Sequence, residues 1–370
     1  MPSIPKHTSQ RFLQHPKWVR FFLRIAALMG VVLWPAAVWS QSSLKTGDKI
    51  LFVGDSYIGQ HGCTALVMDT VALHHPDADI SFRTVSISHL AFASTGIPQA
   101  YIPPIIDSDI LREKPSIVFL SFGLEKLPTK PVDTTGIFPR FFLKPLTDIA
   151  TKCQAAGARL IFVTPGCLDL TKQPELEGTA AQENLTYYSK TIRDIAAKTQ
   201  AEVVDLSVLM KDVLTRGRTA APGFSLAQEG ITLNQAGHTL VASVFLRALG
   251  EEGLTSELSI DATSGRTQSQ HCTMRDLTIM DGVVTFTRED ASLPAYFPPE
   301  GAAALSFDPT LKHQDRYLLT IRDLRDGKWR VVAGGVEVGT FTHAELATGI
   351  NLAHHQGPWQ RQAHGFIHCL

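Results

Sequence analysis

Gly54-Asp55-Ser56 is the triplet in this sequence with the clearest chemical potential. It follows the continuous apolar run 49–53, so the serine falls at the carboxyl end of a strand and at the start of a helix. Backbone N–H groups and the helix dipole favour negative charge at such a place, which is what a serine attacking an acyl carbon needs. The same placement suits a serine that only caps the helix, with Asp55 capping or buttressing the turn. Few imidazoles are candidates for its base: His61 lies five residues on, along the next helix, and His238 opens a late helix. His364 and His368, four apart, would share a helix face, but no acidic third ligand accompanies them and no metal site is expected.

The elements around Ser56 alternate strand and helix. Apolar runs at 49–53, 80–87, 116–122, 159–163 and 202–206 make five strands. Runs of this kind belong to strands covered on both faces, hence to a parallel sheet with helices on each side. Segment 141–156 is stopped by Gly157, and 179–199 carries Leu185, Tyr188, Ile192, Ile195 and Ala196 at helical spacing. Segment 235–249 follows Asn234, a good N-cap, and ends at Gly250. An α/β domain over 46–250 results, with ligands expected at the carboxyl ends of its strands. Beyond Gly250 the runs 277–280, 283–286, 317–321 and 329–332 are short, with Asp281-Gly282 and Asp326-Gly327 as turns. Residues 251–370 therefore read as a β-rich extension, with a helix near 342–348 and a loose tail bearing histidines.

The chain has 370 residues, 44% hydrophobic and 19% charged, enough for one large core and something smaller. Residues 1–40 hold five basic residues and no acidic one; the remaining 29 basic against 35 acidic leave a body of about −6. A mildly acidic body without a basic stripe excludes an electrostatic footprint for nucleic acid. Basic residues ending at Arg24, the apolar run 25–38 and Val38-Trp39-Ser40 before Gln41 read as a signal peptide; an uncleaved N-terminal anchor is the rival. Either way an extracytoplasmic body, periplasmic or secreted, is expected, with a membrane partner only if the segment is uncleaved. Five cysteines, Cys63, Cys153, Cys167, Cys272 and Cys369, leave open a Cys153–Cys167 bridge, a Cys272–Cys369 bridge or buried free thiols.

Three further stretches carry a family resemblance. Glu229-Gly-Ile-Thr-Leu-Asn-Gln-Ala-Gly-His238 resembles the last block of SGNH (GDSL-type) hydrolases, Asp-Gly-Val-His-Pro-Asn-x-x-Gly-His. Segment 114–126 resembles their third block, where Gly-x-Asn-Asp follows a strand. The C-terminal part, from Gly334 through Ala353, looks like the extension of secreted planctomycete and verrucomicrobial members. The resemblance covers about residues 46–365 and implies a flavodoxin-like sandwich with a five-stranded parallel sheet. It also implies a serine esterase or lipase with Ser56 as nucleophile, no cofactor, and a small-molecule or glycan ester as ligand.

The residues depart from that pattern at most other catalytic positions. Thr232 stands for the base histidine, Glu229 for the orienting aspartate and Glu125 for the oxyanion asparagine. Ser86, or Gly96 through a longer loop, stands for the second block's glycine; Ser56 and Ser86 N–H groups would complete the oxyanion site. A threonine hydroxyl cannot take a proton near neutral pH. Loss of the base in such a triad costs about 10⁶ in rate, and loss of one oxyanion donor about 10²–10³. Two readings follow: a hydrolase by descent with impaired or lost activity, His238 or His61 being substitute bases, or a pseudoenzyme that binds a glycan or other polar ligand.

Overall fold

The computed structural model describes residues 8–14, 44–86, 106–123, 128–136, 139–308 and 315–367. The chain divides into two compact units. One consists of Ser43–Glu251 with Tyr296–His313, the other of Met1–Ser42, Glu252–Ala295 and Gln314–Leu370. The first strand, β1 (Thr8–Gln14), belongs to the latter.

In the α/β unit, β2 (Lys49–Gly54), β3 (Ser81–Ser86), β4 (Ile117–Ser121), β5 (Arg159–Val163) and β6 (Glu202–Val204) form one sheet, ordered β3-β2-β4-β5-β6. All its ladders are parallel. Successive side chains feed two cores: Ile50, Phe52, Ile117, Phe119, Ile161 and Val163 one, Leu51, Val53, Val118, Leu120, Leu160 and Phe162 the other. Both faces are covered, which is why these strands read as unbroken apolar runs. The fifth is shorter than expected because Asp205 leaves it to cap the next helix, accepting from Val208 N.

The helices of this unit are α1 (Ser56–Gly59), α2 (Gly62–His74), α3 (Lys144–Ala155), α4 (Ala181–Thr199), α5 (Leu206–Ala220) and α6 (Gln235–Ala248). A short hairpin of β7 (Ala227–Glu229) and β8 (Thr232–Leu233) precedes α6. The chain returns to this unit with α7 (Pro299–Leu305), which packs on α6: a Cβ at Gly301 would collide with the Thr239 side chain, and Ala304 is fully buried.

Cys153 sits in the core on one face of the sheet and Cys167 packs on the core of the other, so the sheet separates them. The Cys153–Cys167 bridge is therefore absent; Cys63 and Cys272 are also free thiols, and Cys369 lies outside the described residues.

The second unit adds β9 (Leu254–Asp261), β10 (Thr267–Gln270), β11 (Cys272–Met280), β12 (Val283–Asp290), β13 (Arg316–Arg322), β14 (Lys328–Ala333), β15 (Val336–Thr342) and β16 (Ile350–Asn351). They form two sheets, β11-β12-β1-β14-β15 and β10-β9-β13-β16. Asp281 and Gly282 both take positive φ (53° and 74°), the backbone a two-residue hairpin turn demands. A capping box of Thr342 and Glu345 starts α8 (His343–Thr348). The tail is not loose: α9 (Pro358–Ile367) carries Trp359, 1% exposed.

β1 pairs antiparallel with β12 and β14, filling the place between them. It falls inside the stretch read as a leader or anchor, and a cut before Gln41 would take it out of the sheet. Among the described residues no helix is long and apolar enough to cross a membrane. The apolar run 25–38 lies outside them.

Candidate active site

The end of β2 is pinned to β4. Asp55 N donates to Ser121 O at 3.0 Å, and a Cβ at Gly54 would run into that same carbonyl oxygen, so only glycine fits. Asp55 is 5% exposed, and its Oδ2 accepts from Gly123 N at 2.6 Å. Gly123 has φ +110°, a conformation that favours glycine. Asp55 thus buttresses the turn, as its position after the strand led one to expect. Ser56 follows as the first residue of α1, with Gly59 N bonded to Asp55 O at 2.8 Å. Two buried phenols stand near the Asp55 carboxylate. Burial, then Cys167 and Asp55, raises the Tyr57 hydroxyl well above its usual pKa; burial and Asp55 push Tyr188 up to about 12. Tyr188 stacks on Phe142 in the core, as packing rather than ligand contact would have it.

The other expected site residues that are described reach α1 from two directions. Ser86 ends β3, and its Oγ lies 2.9 Å from where a Cβ on Gly59 would stand. Thr232 and Glu229 face each other across the β7–β8 hairpin, Thr232 half-buried and Glu229 exposed. The next residue, Leu233, donates its N–H to Gln60 Oε1 at 3.1 Å, which ties the hairpin to the end of α1. Glu125 and Gly96 lie outside the described residues, as does His368.

Of the two candidate bases, His238 opens its helix as expected and His61 does not continue the serine helix. His61 is not on a helix continuous with Ser56. The chain breaks after α1, and His61 takes φ 59° at the N-cap of α2, exposed. His238 lies in the first turn of α6 with its ring against Gly62, where a Cβ would stand 2.7 Å from the ring. Its Nδ1 is buried and has no hydrogen-bond partner among the described residues. Burial lowers its pKa, so the ring is held neutral.

Asn234 organises the entry to α6. Asn234 Oδ1 accepts from Gly237 N at 2.9 Å and its Nδ2 donates to Ser225 O at 2.8 Å. A Cβ on Gly237 would strike Leu226 O, which accounts for that glycine. Beneath the hairpin lies a polar knot that the sequence reading did not find. Asp169, 2% exposed, accepts from Arg218 NH2 and Ser225 Oγ at 2.6 Å each and from Thr171 Oγ1 at 2.7 Å. Burial pushes Asp169 up, but the bonds from Ser225, Thr171 and Arg218 outweigh it and hold the carboxyl below its usual range. Asp169 N also bonds to Gly230 O at 3.2 Å, in the hairpin turn. The Asp-x-Thr spacing at 169–171 was the one local signal for this knot; Arg218 lies 49 residues from Asp169.

The arrangement sets a serine at a helix start, with Ser86 and the hairpin bearing Thr232 held against the residues that follow it. No family model matches the chain. The chain is 22% identical over 239 residues to an acetylxylan esterase of Geobacillus stearothermophilus, a match covering 58% of this chain and 99% of that one. Among solved structures, a gut microbial diltiazem-metabolizing enzyme is similar with a TM-score of 0.71 and 21% identity, over 88% of this chain and 77% of the other. The solved Geobacillus stearothermophilus acetylxylan esterase is 20% identical at a TM-score of 0.44, over 56% of this chain and 96% of its own. At these identities the likeness carries the fold: a flavodoxin-like α/β sandwich on a five-stranded parallel sheet, extended by a β-rich region.

Proposed function

We propose that this protein is a serine ester hydrolase by descent, directed at acylated carbohydrate, in which acyl transfer is impaired by loss of the base. The observation that carries the reading is Ser56 at the first position of α1, with the hairpin bearing Thr232 tied to that helix through Gln60. The similarity to an acetylxylan esterase over 99% of that enzyme's length supports the substrate class. In the full reaction the Ser56 oxygen bonds to the acyl carbon and the ester C–O bond breaks. The serine proton passes to the leaving alcohol, and water then cleaves the acyl-enzyme. Here Thr232 cannot carry that proton, and His238 is packed on Gly62. That arrangement favours a second reading, a pseudoenzyme that holds an acylated glycan without cleaving it. The sequence of the N-terminal stretch supports an extracytoplasmic location for either.

A fluorophosphonate probe and p-nitrophenyl acetate decide between them. Labelling of wild type but not of Ser56→Ala, with slow ester cleavage, is the result expected of the hydrolase. No labelling and no cleavage, together with retained binding of an acetylated xylo-oligosaccharide, selects the binding protein. Thr232→His is expected to raise ester cleavage by about 10²-fold or more. No gain from it would overturn the assignment of Thr232 to the base position.

A further inference from the structure

Residues 59–62, where α1 gives way to α2, meet three separate elements. Gly59 lies against Ser86 Oγ at the end of β3. Gln60 accepts the Leu233 N–H, the residue after Thr232 and 173 positions away in sequence. Gly62 lies under the His238 ring at the start of α6. His61, at φ 59°, makes the sharp turn that lets its neighbours face different elements. Both glycines are required by contact: a side chain at Gly59 would press on Ser86, and one at Gly62 on the imidazole.

The hairpin cannot fix Thr232 by itself. Its strands are three and two residues long, and their register is irregular between Ala227 and Glu229. An isolated ladder of that size is marginal, so its place depends on outside bonds. The Asp169 knot holds the turn from below, through Gly230 O. On the side of the serine helix, Leu233 N bonds to Gln60 Oε1.

We propose that Gln60 is a positioning residue. Its amide oxygen sets where the strand carrying Thr232 stands relative to the helix that begins at Ser56. The assignment rests on reading Ser56 and Thr232 as parts of one site. It predicts that the acceptor is what counts: a glutamate at this position keeps the bond to Leu233, and a leucine of similar length loses it.

The test uses the full chain. Native-state hydrogen exchange at the Leu233 amide should speed up about five- to tenfold in Gln60→Leu and return toward wild type in Gln60→Glu. Fluorophosphonate labelling of Ser56 should slow by a similar factor in Gln60→Leu, without a matching loss in thermal midpoint, and recover in Gln60→Glu. Unchanged exchange at Leu233 in Gln60→Leu overturns the proposal, as does labelling at the wild-type rate. If wild type is not labelled at all, the hydrolase reading fails separately, and the measurement moves to Thr232→His. There, labelling that disappears on adding Gln60→Leu supports the positioning role, and labelling that persists refutes it. With no labelling in either background, the exchange result alone decides.

Discussion

The molecule buries an acid–arginine pair in each of its two units, and the pairs differ in how completely they are closed. In the β-rich unit Arg288 is 0% exposed and every arm is taken. Its Nε donates to Asp290 Oδ1 at 2.8 Å, its NH1 to Leu318 O and its NH2 to Ser256 Oγ at 2.9 Å each. Tyr317 donates to the other Asp290 oxygen, and its ring lies 4.3 Å from the guanidinium carbon. In the α/β unit Arg218 remains about a third exposed over a buried Asp169. The closed pair fixes packing within a core; the half-open one props the β7–β8 hairpin through Gly230, beside the candidate residue Thr232. A buried ion pair is therefore no guide to a site until one asks what backbone it holds.

The largest effect should come from opening the closed pair. Arg288→Met leaves Asp290 charged and buried, at a cost of about 3–5 kcal/mol. Urea unfolding followed by tryptophan fluorescence measures it, and a loss below about 1 kcal/mol would mean that the network adds little.

A third buried carboxylate is next. Glu251 is held between His74 Nδ1 at 3.0 Å and His75 Nε2 at 2.8 Å. Burial alone would raise it, but the two imidazole bonds prevail and bring its pKa from 4.5 to about 2. A carboxyl lowered on folding stabilises the protein fully above pH 4.5 and loses that contribution as pH falls toward about 2. Glu251→Gln should thus cost up to about 3 kcal/mol at pH 7 and flatten the acid limb of the stability curve. An acid limb identical to wild type would contradict it.

Asp169→Asn should cost about 2 kcal/mol and, unlike the Arg288 change, quicken amide exchange at 230–233. If Arg288→Met loosens those amides as much, the contrast between the pairs fails. The smallest effect is at the thiols. Burial pushes Cys63 to about 12 and Cys153 to about 11, so neither should react with a disulfide reagent at pH 8 before unfolding.

Much of the fold was legible because it is written locally. The five apolar runs, Gly157, the Asn234 cap and the Asp281-Gly282 turn each announce themselves within a few residues. Long-range contacts do not. α5 was not foreseen, nor the break at His61, which follows from α1 and α2 packing against different neighbours. The Thr8–Gln14 strand draws its order from β12 and β14, and the terminal helix is held by buried Trp359. Of the candidate site residues, Ser56, Ser86, Glu229 and Thr232 are picked out by spacing, and the structure sets Ser86 and the Thr232 hairpin against Gly59 and Gln60. Gln60 and the Asp169 knot could not be picked out this way, since their partners lie 173 and 49 residues away.

The return of α7 to the α/β unit sets a limit on how the chain can be divided. Residues 46–250 read as a self-sufficient α/β domain by sequence, yet α6 leans on a helix that the chain makes only after crossing the other unit. A truncation ending at 251 would bare the surface of α6 around Thr239 and leave Arg247 without Asp308, 3.6 Å from it. Such a fragment should be poorly soluble or aggregate on expression. The smallest soluble version of the α/β unit would be a two-piece one, with 296–313 joined back through a short linker.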